Sequence, residues 1–254
     1  MSRPSASLRT AVVWDVLHAA LQRRAGSAGR PALRVLDTGG GTGNFAVPVA
    51  RLGHRVTVVD PSPNALFGLE RRAAEAGVAD RVTGVQGDAS GLFEVVEPGG
   101  YDAVLCHGVL EYVDDPVEAL RNAVAALRPG GGTLSLLAAG LGGAVLGRAL
   151  AGHFTEARHA LTAPDGRWGE SDPVPRRFTL EQLTELVTDA GLRPAAVHGV
   201  RVFADLVPGA LVDTEPDAVA ALGRLEAAAA ELPAFQSIAS QLHVLAESGV
   251  PEAG

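Results

Sequence analysis

The run Val35-Leu36-Asp37-Thr38-Gly39-Gly40-Gly41-Thr42-Gly43 joins a short apolar segment to a turn made almost wholly of glycine. Glycines let a backbone reverse tightly and approach a bound molecule without a Cβ in the way. Unpaired N–H groups where a helix begins favour a carboxylate or another anion. Alone, such a turn is equally a plain tight turn. Asp60, followed by Pro61, ends the run Val56-Thr57-Val58-Val59. An acidic residue about 20 residues beyond a glycine turn suits bidentate hydrogen bonding to two ribose hydroxyls. The competing reading is a helix cap, since Ser62-Pro63 follows; the glycine turn favours the ribose. In Gly87-Asp88-Ala89, the Asp88 carboxylate can accept from an adenine amino group while a backbone N–H donates to the ring, or it can cap a helix. His107-Gly108-Val109-Leu110-Glu111-Tyr112 follows a fourth apolar run, where reacting groups would meet.

These positions need strands to carry them. Leu33 to Leu36, Arg55 to Val59, Arg81 to Gln86, Tyr101 to Cys106 and Thr133 to Ala138 read as five strands. Helices fall between them: about Asn44 to Leu52, from Ser62-Pro63 to near Gly77, and from Asp115-Pro116 to Arg128-Pro129-Gly130. The alternation predicts an α/β protein with a doubly wound, mostly parallel sheet, whose ligands sit at the carboxyl ends of the strands. Ahead of it, Leu8, Val12, Val16 and Ala20 mark one face of an amphipathic helix that Gly26 to Pro31 breaks. Residues 140–177 read as an insertion of short helices and loop, a candidate lid. Thr179 and Gln182 form a capping box, with Phe178 stapling onto Leu183, in a helix that ends at Gly191. Pro194 to Phe203 reads as a sixth strand. Val219, Leu222, Leu225, Ala229 and Leu232 mark a helix, and Ile238, Ser240, Leu242, Val244 and Ala246 alternate as a seventh strand. No linker demands a second domain, so the expectation is one domain over 1–254, with 1–30 as a helical cover.

Composition limits the function. The chain has 254 residues, 47% hydrophobic and 20% charged, an ordinary globular mix. A formal charge of −8 gives no general attraction to nucleic acid, so such contact needs a local basic patch. One cysteine, Cys106, excludes an internal disulfide framework, and no CxxC or Cys/His cluster suggests a metal. The first residues lack a signal peptide's apolar run, and the longest apolar stretch, Thr133 to Val145, is glycine-interrupted and too short for a bilayer. A soluble, cytoplasmic protein without membrane contact is expected.

Gly39 to Gly43, Asp60, Asp88 and Val109-Leu110-Glu111-Tyr112-Val113-Asp114-Asp115-Pro116 together resemble the ordered motifs of class I S-adenosylmethionine-dependent methyltransferases. The resemblance covers about residues 31 to 138 and implies a seven-stranded Rossmann-like fold. A NAD-binding protein would show G-x-G-x-x-G, and no glycine fills the last position of that frame. By this resemblance Asp37, Gly39, Gly40, Gly41, Asp60, Pro61, Asp88, Ala89 and His107 would bind S-adenosylmethionine.

A narrower resemblance runs over nearly the whole chain. Leu8 to Trp14, Phe45 to Ala50, Gly199-Val200-Arg201-Val202-Phe203-Ala204-Asp205 and Leu242-His243-Val244 are similar to the tRNA 5-carboxymethoxyuridine methyltransferases, which convert the carboxylate of a modified wobble uridine to an ester. Arg9 matches an arginine that in this family reaches the cofactor carboxylate. The family's lysine-rich segment is missing: Leu161 to Arg177 holds only Arg167, Arg176 and Arg177, with Asp165, Glu170 and Asp172 among them. A small carboxylic acid or natural-product hydroxyl is therefore the alternative acceptor to tRNA, and a non-catalytic cofactor-binding protein is a further one.

A carboxylate acceptor is ionised at neutral pH and needs no general base, only a cation or hydrogen-bond donors to hold it. Arg201 is the first candidate, as a bidentate partner; the bland reading is a surface salt bridge. Arg176 and Arg177 read equally as a solvated pair or a phosphate clamp. His107 either touches the reacting groups, as a base if the acceptor is a hydroxyl, or simply caps its strand. Tyr112 and Glu111 line the pocket, unless Glu111 is an exposed helix charge. Arg201, His107 and Tyr112 are the catalytic candidates. His243, Trp14 and Cys106 read as packing residues, and Trp168 as a core oddity or a stacking platform for a base.

Overall fold

The computed structural model describes residues 10–208 and 217–248. They fall into two compact units. One contains Leu17–Leu136, Glu185–Ala195 and the strand residues from Leu245; the other contains Leu137–Thr184, Ala196–Val244 and the start of the first helix.

The chain runs α1 (Ala11–Ala28), β1 (Arg34–Thr38), α2 (Ala46–Arg51), β2 (Arg55–Asp60), α3 (Pro63–Glu75), β3 (Val82–Gln86), β4 (Ala103–His107), α4 (Pro116–Ala125) and β5 (Thr133–Ala139). Then follow α5 (Leu141–Leu150), α6 (Phe154–Thr162), α7 (Leu180–Asp189), β6 (Leu192–Val200), α8 (Ala218–Ala229), α9 (Pro233–Gln236) and β7 (Gln241–Ser248). The strands form one seven-stranded sheet in the order β3-β2-β1-β4-β5-β7-β6. β1 pairs in parallel with both β2 and β4, and β2 with β3. Helices follow the strands, so parallel strands can be covered on both faces and read as continuous apolar runs. Val35 and Leu36 of β1, Ala103 to Cys106 of β4 and Leu134 and Leu136 of β5 are buried accordingly.

Local chemistry sets the helix ends. α1 continues through Gly26, past the predicted break, because Gly29 supplies the left-handed residue that closes it, with φ 62°. The N–H groups of Gly29 and Arg30 then donate to the carbonyls of Gly26 and Ala25, satisfying two groups of the last turn. Ser62 Oγ accepts from Ala65 N, with Pro63 in the first turn of α3. Asp115 accepts from Val117 N and Glu118 N. The predicted box at α7 is reciprocal: Thr179 N donates to Gln182 Oε1 at 2.9 Å, and Gln182 N to Thr179 Oγ1 at 3.2 Å. The 140–177 insertion is the helix pair α5 and α6 followed by loop. A Cβ on Gly143 would lie 2.5 Å from Ser240 Cα, so α5 sits flush on that backbone.

Most strand limits shift by one or two residues from the pattern, and two shift by three. β6 stops at Val200, short of Phe203, because Arg201 turns into the left-handed region with φ 59°. β7 starts at Gln241: Ile238 N and Ala239 N still bond helically, to Phe235 O and Gln236 O. Its centre, Leu242 to Ala246, is buried throughout rather than alternating. Among the described residues no helix is long and apolar enough to cross a membrane.

At the opposite ends of the strands, the fully buried Asp102 gathers three partners. Arg34 N donates at 2.9 Å, the Arg30 guanidinium lies at 2.5 Å and Arg128 Nε at 3.1 Å. Removing one partner of a buried ion pair strands the other charges. Asp102→Ala should therefore lower the urea-measured unfolding free energy by about 3 kcal/mol, at the low end for buried pairs because both arginines are partly exposed. A loss under ~0.5 kcal/mol would show that the cluster is dispensable.

Candidate functional site

The strand register brings the chemistry-bearing ends together. Thr38 pairs with Val59 and with Cys106, and Asp60 pairs with Gln86. Asp37, Asp60, the Gly87-Asp88 turn and His107 therefore end four adjacent strands on one edge. Between β1 and α2 the backbone reverses through Gly39, Gly41 and Gly43, at φ 65°, 56° and 80°. Gly39 N donates to Val59 O at 2.7 Å, stitching the turn to β2. Gly40 is needed for space: a Cβ there would lie 2.5 Å from Asp37 Oδ2 and 2.9 Å from Val58 Cγ1.

Asp60 serves this turn directly. Its Oδ2 accepts from Gly41 N and its Oδ1 from Ser62 N, both at 2.9 Å. The Asp60 side chain thus shapes the glycine turn and supports the next helix start, as the capping reading expects, and it also lines the cavity. Asp37 is only 2% exposed. Burial first, and the Asp60 charge second, push its carboxyl from the ordinary 3.8 up to about 7. A cavity of about 390 Å³ opens beside them, lined by Gly39, Asp60, Pro61, Asp88, Ala89 and Tyr112 among others. Asp88 Oδ1 accepts from Ser90 N at 2.9 Å and Gly91 N at 2.7 Å, which folds the strand end into an Asx turn. Asn122, which sequence pattern does not single out, holds that turn by donating to Ala89 O and Ser90 O.

At the end of β4, His107 Nε2 lies 2.8 Å from Ser135 Oγ, and its ring meets Phe45 edge-on, centroids 4.5 Å apart. Burial drives its pKa down to about 3, outweighing the hydrogen bond to Ser135. The imidazole is therefore neutral and a weak base at neutral pH. Ser135, buried in β5, is a partner that its sequence position gives no hint of. Glu111 is 3% exposed, which removes the reading as an exposed helix charge. Tyr112 is 60% exposed and lines the cavity wall. The Cys106 thiol is pushed up to about 12, chiefly by burial, so it is inert filling.

The other unit carries the remaining candidates. Arg201 donates through Nε to Asp205 Oδ1 at 3.1 Å, and its Nη2 lies 2.5 Å from Asp205 Oδ2. Arg177 is neither solvated nor a phosphate clamp: it is buried in a two-point pair with Asp172, at 2.6 and 2.9 Å, and donates to Gly166 O. Burial works against the Asp172 charge, yet bonds from Arg177 and from the Trp168 and Val174 N–H groups hold its carboxyl below the usual range. Trp168 offers one ring face to the Arg148 guanidinium, 3.7 Å from the ring centroid. His243 is fully buried and stacked on His198, a packing histidine as expected. Trp14 is half-buried. Arg9 lies outside the described residues.

Residues 36–133 match the methyltransferase domain. Over 198 residues the chain is 33% identical to the tRNA 5-carboxymethoxyuridine methyltransferase of Escherichia coli O157:H7, covering 78% of this chain and 72% of that one. The chain belongs to the S-adenosylmethionine-dependent methyltransferases. The ubiquinone biosynthesis O-methyltransferase of Methylocella silvestris is 42% identical over 101 residues, 39% of this chain and 37% of that one. In fold, the chain is similar to the Burkholderia thailandensis 1,6-didemethyltoxoflavin-N1-methyltransferase bound to S-adenosylhomocysteine. That likeness has a TM-score of 0.55 at 23% identity and covers 96% of this chain and 79% of that one.

The residues at this methyltransferase's strand ends fit S-adenosylmethionine. The cofactor is cationic at its sulfonium and amino groups, and burial together with the Asp60 charge disfavours the ionised form of Asp37, which a cation beside it would favour. When bound, it supplies a methyl group already activated by the sulfonium. Asp60 and Asp88 offer acceptors for hydroxyl and amino donors, and the glycine turn admits a ligand close to the backbone.

Two outcomes follow. Asp60→Ala should weaken S-adenosylmethionine binding at least about tenfold by calorimetry, through lost acceptors and a loosened turn; an unchanged Kd would remove Asp60 from the site. The fold favours protonated Asp37, so its contribution to stability is full below about pH 4 and is lost as pH rises through about 7. Asp37→Asn should hence stabilise the cofactor-free protein at pH 8, by on the order of 3 kcal/mol, and little at pH 4. Equal effects at both pH values would mean that Asp37 does not titrate as described.

Proposed function

We propose that this methyltransferase esterifies a carboxylate, and that the acceptor is the carboxymethoxy group of a wobble uridine in tRNA. The observation that carries the reading is the extent of the likeness to the Escherichia coli tRNA enzyme. It spans 78% of the chain, against 39% for the ubiquinone enzyme. The chemistry of His107 supports the first half of the proposal. An imidazole with a pKa near 3 is poorly suited to deprotonate a hydroxyl, whereas a carboxylate arrives ionised and needs no base. In this reading Arg201 holds the acceptor carboxylate, Tyr112 and Glu111 shape the approach, and His107 stays neutral beside the transferred methyl. Enzyme action then consists of alignment and exclusion of water around a reactive donor.

A second reading has an observation of its own. Arg177 is taken up by Asp172, and Arg148 by Trp168 and Glu156, so these basic groups of residues 140–177 are internally paired. Phosphate contacts supply much of nucleic-acid affinity. A small carboxylic acid as acceptor asks for no such contacts.

Purified enzyme should transfer labelled methyl to tRNA bearing unmethylated 5-carboxymethoxyuridine, forming a base-labile ester. Raising salt from 50 to 200 mM should raise the KM for that tRNA about tenfold or more. Transfer to small carboxylic acids but not to that tRNA would overturn the tRNA half and keep the carboxylate half. Transfer to hydroxyl acceptors alone would overturn both.

A further inference from the structure

The turn after β6 is held in an unusual way. Arg201 has φ 59°, a left-handed conformation that non-glycine residues seldom adopt and that persists only where the surroundings fix it. The next three N–H groups converge on one carboxylate: Val202 N donates to Glu226 Oε2 at 3.0 Å, and Phe203 N and Ala204 N donate to Glu226 Oε1 at 2.8 and 2.7 Å. Glu226 lies on α8 and is only 2% exposed. Successive N–H groups facing inward make an anion-binding concavity, and here the chain fills it with its own side chain. Phe203 packs against Phe235, rings 5.6 Å apart, and Val202 is buried, so the turn is clamped on its apolar side as well.

The Arg201 side chain is fixed in turn. Asp205 takes the side-on edge of the guanidinium, Nε and Nη2. The fork geometry then leaves the end-on edge, Nη1 and the second Nη2 hydrogen, in the arrangement that binds a carboxylate by two parallel hydrogen bonds. Asp205 is an orienting partner rather than a blocking one.

We infer that Glu226 is a positioning residue: its buried carboxylate fixes the 201–204 backbone so that Arg201, locked by Asp205, presents its end-on edge to the acceptor carboxylate. The inference rests on Arg201 holding that acceptor, as proposed above. It is independent of which molecule bears the carboxylate. Glu226→Gln keeps the volume but turns one acceptor into a donor facing an N–H group, loosening the turn without opening a cavity.

The test compares Arg201→Lys, Glu226→Gln and Asp205→Asn with tRNA bearing unmethylated 5-carboxymethoxyuridine as acceptor. Each should keep the S-adenosylmethionine Kd within about twofold, whereas acceptor KM should rise about tenfold and kcat fall less. Glu226→Gln added to Arg201→Lys should raise KM no further, because it acts through the arginine. Unchanged KM in Glu226→Gln and Asp205→Asn, with KM raised in Arg201→Lys, overturns the positioning role. So does an additive double variant. Unchanged KM in Arg201→Lys is instead a failure of the acceptor-holding reading. Should Glu226→Gln not fold, Asp205→Asn carries the same expectation on a partly exposed side chain. Should the wild type not methylate this tRNA, amide exchange still decides the structural half: Val202, Phe203 and Ala204 should exchange at least about tenfold faster in Glu226→Gln, and equal protection overturns it.

Discussion

Two carboxylates that resist being charged together define this protein. Asp37 and Asp60 end adjacent parallel strands, and the pairing of Thr38 with Val59 fixes their proximity. Burial and the neighbouring charge keep Asp37 half-protonated near neutrality. The glycine turn is built around both. Gly40 has no room for a Cβ because of Asp37, and Gly41 is tied by its N–H to Asp60. Such an arrangement costs stability in the empty protein at neutral pH, and a cation bound beside it would relieve that cost.

Selectivity of this kind explains what the glycine turn alone leaves open. Many nucleotide binders share such a turn, and most of their ligands are anionic. An ionisable carboxyl beneath the turn works against an anion and for a sulfonium or ammonium. The methyl donor then brings its own reactivity, and the protein's part is placement. His107 is consistent with that division of labour: it is a neutral hydrogen-bonding group on Ser135, packed against Phe45, rather than a base.

Much of this was legible from residue order because it is local. The strand ends, the caps at Ser62 and Asp115, the box at Thr179 and Gln182, and the acidic residues at successive strand ends all follow from patterns within a few residues. What escaped depends on contacts between distant segments. Glu226 meets a turn more than 20 residues earlier in the chain, Ser135 meets His107 across strands, and Asn122 props up the Asp88 turn. Arg177 looked available because its partner Asp172 belongs to an irregular loop, where spacing carries no periodic signal. The end of β6 is hidden for a related reason: nothing in Gly-Val-Arg-Val-Phe announces a left-handed arginine, since the buried carboxylate beside it comes from another element.

The carboxylate pair is most directly tested by counting protons. Calorimetry of S-adenosylmethionine binding in buffers of different ionisation enthalpy gives the protons released per cofactor bound. At about pH 6 the wild type should release nearly one proton, as a carboxyl with a pKa of about 7 ionises beside the arriving cation, and Asp37→Asn should release none. No release at that pH, or the same release from both proteins, would contradict the account.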